Sequence, residues 1–276
     1  MSPRAIYYAY GPKKIFEILI FTIFIFFFFG PLLNLVMMGF AYEYWYPMFI
    51  PEVWSLRWWR FVFARDDLVS AMFLSFSIAL ATTLLSLVIC LPAAYAFARF
   101  KFPFKKMFIF SFLLANAFPR IGLFVTIGVL FFRMGIMGTL TGVMMIHMIN
   151  TLMFMTWIPA GAFRAVRKQQ EEAARDVGAG PFRAFLSVTL PLAMPGIFVA
   201  CIFTFLGSLE EAQGTLIVGM PNYRTVPVQL YTVIQEFSTT AAPVVAIILV
   251  IPTIILMVIA SKVVKGGIVA KGMMQK

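Results

Sequence analysis

Side chains able to do acid–base, nucleophilic or redox chemistry are few in this sequence: one histidine, two cysteines and eleven carboxylates among 276 residues. His147 has Asn150 one helical turn later, but no Ser or Asp stands at a spacing that would make a nucleophile–base pair. With neither H-E-x-x-H nor G-x-S-x-G present, no catalytic residue is assigned. Cys90 and Cys201 lie inside long apolar runs, where they read as small buried hydrophobes; no metal ligand set is assigned. A Gly-Lys-[Ser/Thr] triplet is also missing, so the loop with which an ATPase cradles phosphates is absent. What remains is polar chemistry suited to holding or passing a solute. His147 and Asn150 can serve as interhelical hydrogen-bonding residues or line a pathway. The adjacent carboxylates Glu210 and Glu211 can form a hydrated loop edge, pair with a neighbouring subunit, or make an acidic site for a cationic solute. Consecutive helical residues point about 100° apart, so only one of the two can face a lumen.

The elements that must position these residues are membrane helices. The chain is 62% hydrophobic and 12% charged with a mean hydropathy of +0.95, which excludes an ordinary soluble domain. Six apolar spans are expected, near 15–38, 70–98, 107–131, 139–160, 190–212 and 240–264, giving an all-α polytopic fold. Three segments follow: 1–69, an N-terminal end with a retained first helix and an aromatic-rich outer stretch; 70–264, a five-helix core with a long loop at 161–189; and 265–276, a basic tail. Trp45, Trp54, Trp58, Trp59, Tyr42, Tyr44 and Tyr46 give the outer stretch the composition of an interfacial belt.

The net charge of +11 would suggest nucleic acid for a soluble protein, but here the basic residues alternate with the spans. Arg4, Lys13, Lys14, then Arg99, Lys101, Lys105, Lys106, then Arg164, Arg167, Lys168, Arg175, Arg183, and finally Lys262, Lys265, Lys271, Lys276 all fall on one side, which the positive-inside rule makes cytoplasmic. Both termini are expected inside, with lipid and not nucleic acid as a partner. Of the remaining six basic residues, Arg57, Arg60, Arg65, Arg133 and Arg224 fall mostly in the expected outer connections or near span ends, and Arg120, inside the third expected span, is the exception.

The loop at 161–189 combines a helix-forming run from Phe163 to Val177, a stop at Gly178 and Gly180, and Pro181 at the start of a second short helix. Its residues alone fit either an amphipathic surface loop or a docking element. Glu172-Ala173-Ala174, three residues, Gly178, nine residues, Val188, one residue, then Leu190-Pro191 resembles the cytoplasmic EAA loop of permease subunits of binding-protein-dependent ABC importers, departing only in Val188 for the usual Ile. The resemblance covers roughly 55–265 and implies the type I importer permease fold in a bacterial or archaeal cytoplasmic membrane. It further implies ATPase-coupling roles for Glu172, Ala173, Ala174, Asp176, Gly178, Leu190 and Pro191. Implied partners are a second permease subunit, two copies of an ABC ATPase subunit and an extracytoplasmic solute-binding protein. No cofactor is expected on this chain, since ATP and Mg belong to the ATPases.

Within the family, LRWWRFVFARDDLVSAMFLSFSIAL, AYAFARFKFPFKK, EEAARDVGAG and FTFLGSLEEAQGTLIVG with RTVPVQLYTVI look like the polyamine-type permeases. The stretch FPRIGLFVTIGVLFFRMGIMGT, Trp157, Pro252 and KGGIVAKG look like the maltose-type sugar permeases. The expected role is alternating-access import of a small organic solute, a polyamine-like cation first and a sugar or polyol as the alternative. An intramembrane enzyme centred on His147, Glu210 and Glu211, or a proton-coupled carrier, are rivals that co-purification of an ATPase would exclude.

Overall fold

The structure, a computed structural model, describes residues 3–45, 50–236 and 240–273; Tyr46 and Lys276, named above, lie outside them. In chain order its helices are α1 (Pro3–Gly39), α2 (Arg57–Phe63), α3 (Asp66–Arg99), α4 (Lys105–Ala117), α5 (Arg120–Arg133), α6 (Leu140–Ala165), α7 (Lys168–Asp176) and α8 (Pro181–Ala184). A π-helical turn at Phe185–Thr189 leads into α9 (Leu190–Leu209), followed by α10 (Gln213–Val218), α11 (Val226–Glu236) and α12 (Ala241–Met273). Among the described residues the only β pairing is an isolated bridge between Ala41 and Trp54.

Among the described residues, five stretches are long and apolar enough to cross a membrane: Phe16–Gly39, Asp66–Arg99, Leu140–Ala165, Pro181–Leu209 and Ala241–Val263. They cover five of the six expected spans. The remaining one, expected at 107–131 as a single helix, is two: α4 and α5 meet at Phe118 and Pro119, each too short to cross alone. Pro119 is the cause. A residue before proline is pushed out of the helical region, and Phe118 is extended (φ −77°, ψ 148°). Arg120, anomalous inside a continuous span, thereby becomes the first residue of α5 and is exposed. The prolines inside α3, α6, α9 and α12 (Pro92, Pro159, Pro195 and Pro252) do not end their helices.

The chain divides into two compact units. Met1–Arg65 with Val233–Ile248 holds the aromatic stretch, where the Trp58 and Trp59 indoles donate to the Tyr42 and Gly39 carbonyls at 3.0 and 2.9 Å. There the Arg57 guanidinium lies over the Tyr42 ring at 4.9 Å.

The other unit, Asp66–Thr232 with Leu249–Lys276, is built on α3, α6 and α9, which pack against one another. Small residues let these helices approach closely: Ala94, Ala160 and Ala193 are buried together with Phe97, Phe163 and Ile197. Where α9 nears the loop, the Tyr95 ring meets Phe163 and Phe185 edge-on at 5.3 and 4.9 Å, joining α3, α6 and the π turn. The loop is therefore seated on all three core helices.

Candidate functional site

The expected helical run from Phe163 to Val177 is interrupted. α6 stops at Ala165, Val166 (ψ 123°) and Arg167 (ψ 136°) are extended, and α7 starts afresh at Lys168. The break has a tertiary cause: the Val166 side chain is buried in the core cluster, and its carbonyl accepts a hydrogen bond from Arg99 Nη2 at 3.0 Å.

α7 ends in a Schellman motif. The Gly178 N–H donates to the Arg175 carbonyl at 2.8 Å and the Ala179 N–H to the Ala174 carbonyl at 3.0 Å, with Gly178 at φ +91°. Pro181 then opens α8 at a position where its missing N–H costs nothing. Glu172, Ala173, Asp176 and Gly178 are exposed, Ala174 is half-buried, and Leu190-Pro191 begin α9 behind the π turn. Val177 and Phe182 are 86% and 74% exposed beside this turn, so the loop presents apolar side chains ringed by charge.

What holds α7 is the residue before the motif. Glu171 is buried, and its Oε1 accepts from Arg99 Nη2 at 2.6 Å, Arg99 Nε at 3.0 Å and the Thr189 hydroxyl at 2.7 Å. One carboxylate thus ties the end of α3, the first turn of α7 and the π turn before α9. Both charged side chains are nearly inaccessible, at 8% and 11% of their area. A pair this buried is held by geometry and by its additional hydrogen bonds. Sequence reasoning placed Arg99 among the basic residues of a connection and passed over Glu171 and Thr189. The available signal was helical spacing: Glu171 and Ala174 fall on one face of α7, whereas Glu172, Ala173 and Asp176 do not.

A second polar cluster lies at the opposite end of α9. The His147 ring bridges two hydroxyls, Nδ1 to Ser208 Oγ at 2.7 Å and Nε2 to Thr215 Oγ1 at 2.8 Å, linking α6 to the end of α9 and to α10. A neutral imidazole suits this, with one ring nitrogen donating and the other accepting. Asn150 Nδ2 donates to the Gly207 carbonyl at 3.1 Å. The adjacent carboxylates are placed differently. Glu211 is 4% exposed and accepts the Gly214 N–H at 2.7 Å, closing the turn into α10. Glu210 is exposed, with Thr253 Oγ1 of α12 at 3.5 Å from its Oε1. Gly214 is required here by close approach, since a Cβ at this position would overlap the Ile146 side chain. The structure therefore gathers His147 and Glu211 around α10, leaves Glu210 outside that knot, and keeps all of them at the far end of α9 from the loop.

Comparison with known proteins places this architecture. A solved bacterial ABC transporter involved in the import of the acidic polysaccharide alginate has the same fold, with a TM-score of 0.66 at 16% identity over 95% of this chain and 98% of that one. The trehalose transport system permease protein SugB of Mycobacterium tuberculosis is 29% identical, covering 79% of this chain and 82% of its own. The spermidine/putrescine transport system permease protein PotC of Escherichia coli is 25% identical, covering 75% and 78%. The model of the binding-protein-dependent transport system inner membrane component family matches residues 89–266, from the last third of α3 into α12 and including the loop and both polar clusters. The chain belongs to that family, and it is a permease subunit of an ABC importer.

Proposed function

We propose that this chain is one half of the membrane pore of an importer that takes a small organic solute from a binding protein outside the membrane, with α7 and α8 docking on an ATPase subunit inside. The observation that carries the reading is the rigid seat of α7. A motion can be transmitted only through an element with a fixed relation to what it moves. The Glu171 contacts give α7 that relation to α3 and α9. Glu172, Ala173, Ala174, Asp176 and Gly178 form the docking side, and Leu190-Pro191 pass its displacement into α9. A second permease subunit and two ATPase copies complete the assembly, and both termini lie on the ATPase side. ATP-driven closure favours an outward-facing arrangement and hydrolysis restores the inward-facing one, because each state binds solute and nucleotide differently.

For the solute, a sugar or polyol is the first reading. Glu211, half of the acidic pair that would attract a polyamine-like cation, is committed to the Gly214 N–H, and the relatives include a trehalose permease. The cation reading keeps two supports, the exposed Glu210 carboxylate and the likeness to a spermidine/putrescine permease. Uptake by Glu210→Gln in whole cells separates the two. Gln keeps size and hydrogen bonding, so only charge is removed. Transport of a neutral sugar should be unchanged; loss of spermidine uptake at normal protein abundance would instead establish the cation.

A further inference from the structure

Arg120 takes no part in the coupling described above, although its charge stands where charge is costly. α4 packs at the loop end of the bundle, where Ile109 and Phe112 meet the cluster of Ala160 and Phe163. α5 packs at the other end, where Phe124 meets Ile146. Ile146 and Ala160 are separated along α6 by about 21 Å at 1.5 Å per residue. Arg120 lies one turn before Phe124 and therefore between these two levels, near the middle of α6 and farther from either membrane surface than an arginine can snorkel. It also stands on the inward face of α5. Arg120, Phe124, Ile127 and Phe131 recur at helical spacing, and the last three pack with Ile146 and Val218, whereas the outer stripe of Ile121, Val125, Val129 and Phe132 is exposed and apolar. Arg120 is nonetheless exposed, because α10, which covers this face from Phe124 onward, begins only at Gln213. A charge at this depth on an inward face opens onto water, since hydrocarbon would not tolerate it.

A carboxylate lies close by without claiming the guanidinium. Glu211 Oε1 and Phe124 Cδ2 are 3.2 and 3.5 Å from where a Cβ on Gly214 would stand, so Glu211 sits about one turn from Arg120, whose charge acts on it. Among the described residues no carboxylate is within ion-pair reach of Arg120. Its donors are thus free while Glu211 offsets its charge at longer range. A guanidinium offers five N–H donors in a fixed fork and no acceptor. A polyamine would bring it no acceptor and a like charge. A sugar acid would gain from Arg120 but meet the Glu211 charge beside it. A neutral sugar or polyol presents adjacent hydroxyl oxygens that accept from the fork without adding charge. We propose that Arg120 contacts the solute in the pathway, its guanidinium donating to hydroxyl oxygens of a neutral sugar or polyol; this rests on the sugar reading of the transport function given above.

Two measurements on the complex purified with its ATPase test this. With Cys90 and Cys201 replaced by Ala, Arg120→Cys in nanodiscs should react with a water-soluble, membrane-impermeant thiosulfonate in the nucleotide-free or the ATP-bound state. No reaction in either state would overturn the assignment by placing position 120 in lipid or against the second permease subunit. In proteoliposomes supplied with the cognate binding protein and radiolabelled trehalose, Arg120→Met should lower trehalose uptake per ATP hydrolysed about tenfold, the effect of losing a hydrogen bond from a charged donor. Stimulated ATP hydrolysis itself should stay at the parent's rate, because the seat of α7 is untouched. Arg120→Lys, which restores a single ammonium, should recover part of the lost uptake, a graded response that a folding defect would not give. Unchanged trehalose uptake per ATP in Arg120→Met would overturn the Arg120 contact and leave the sugar reading standing. A binding protein and parent complex that carry spermidine and not trehalose would instead overturn the sugar reading, and the hydroxyl contact with it.

Discussion

Replacing Arg99 with Gln is expected to abolish coupled transport and to destabilise the subunit by about 3–5 kcal/mol, because it strands the Glu171 carboxylate in a site closed to water. Glu171→Ala should do comparable damage from the other side, leaving Arg99 buried with only the Val166 carbonyl and Thr189 with no acceptor. Lost stability alone would reduce transport, so the informative protein is the triple variant Arg99→Met, Glu171→Met and Thr189→Val. Apolar replacement of a whole buried ionic cluster is often neutral or stabilising, and thermal unfolding of the triple variant should return close to that of the parent. Its coupling should not return. Methionines fill the space without fixing where α7 lies relative to α3 and α9. ATP hydrolysis stimulated by the liganded binding protein is therefore expected to stay at least about tenfold below the parent, within the range of a lost coupling energy. A triple variant that transports normally would reduce the cluster to a stabilising feature.

Gly178 should show a graded response set by backbone conformation. At φ +91° a residue with a Cβ is strained by about 1–2 kcal/mol, and a Cβ added there would meet no other atom within 4 Å, so the strain lies in the backbone alone. Asn visits this region more readily than Ala, and β-branched Val least of all. Stimulated hydrolysis in proteoliposomes should accordingly fall in the order Asn, Ala, Val, while the binding protein keeps its affinity for its ligand. An order following side-chain volume, with Ala better than Asn, would show that Gly178 matters for contact with the ATPase surface and not for the turn.

The spans were legible because about twenty consecutive apolar residues have few alternatives to a membrane helix. α3, α6, α9 and α12 duly occupy the expected stretches. The α4–α5 break was less legible, although Pro119 was in view. Apolarity continues across it, and hydropathy does not register the change at Phe118 from helical to extended backbone. The turn at Gly178 and the start of α8 at Pro181 could be read locally, since capping depends on neighbouring residues. Helical spacing sets Glu171 apart from Glu172, but its partners could not be read. Arg99 and Glu171 are 72 residues apart, and nothing in either neighbourhood marks the other. The hydroxyl partners of His147 are likewise 61 and 68 residues away. Glu210 and Glu211 look equivalent in sequence; folding separates them, because the chain leaves α9 between Leu209 and Gln213 and turns one carboxylate inward to the Gly214 N–H.

The claim that α7 and α8 are where this chain meets its ATPase can be tested by single-cysteine cross-linking. With Cys90 and Cys201 replaced by Ala, a cysteine introduced at the exposed Ala173 should cross-link to a co-purifying ATPase subunit, and the yield should change when ATP is added. Absence of any ATPase from the purified complex, or labelling of that cysteine by an impermeant reagent from outside intact cells, would contradict the account.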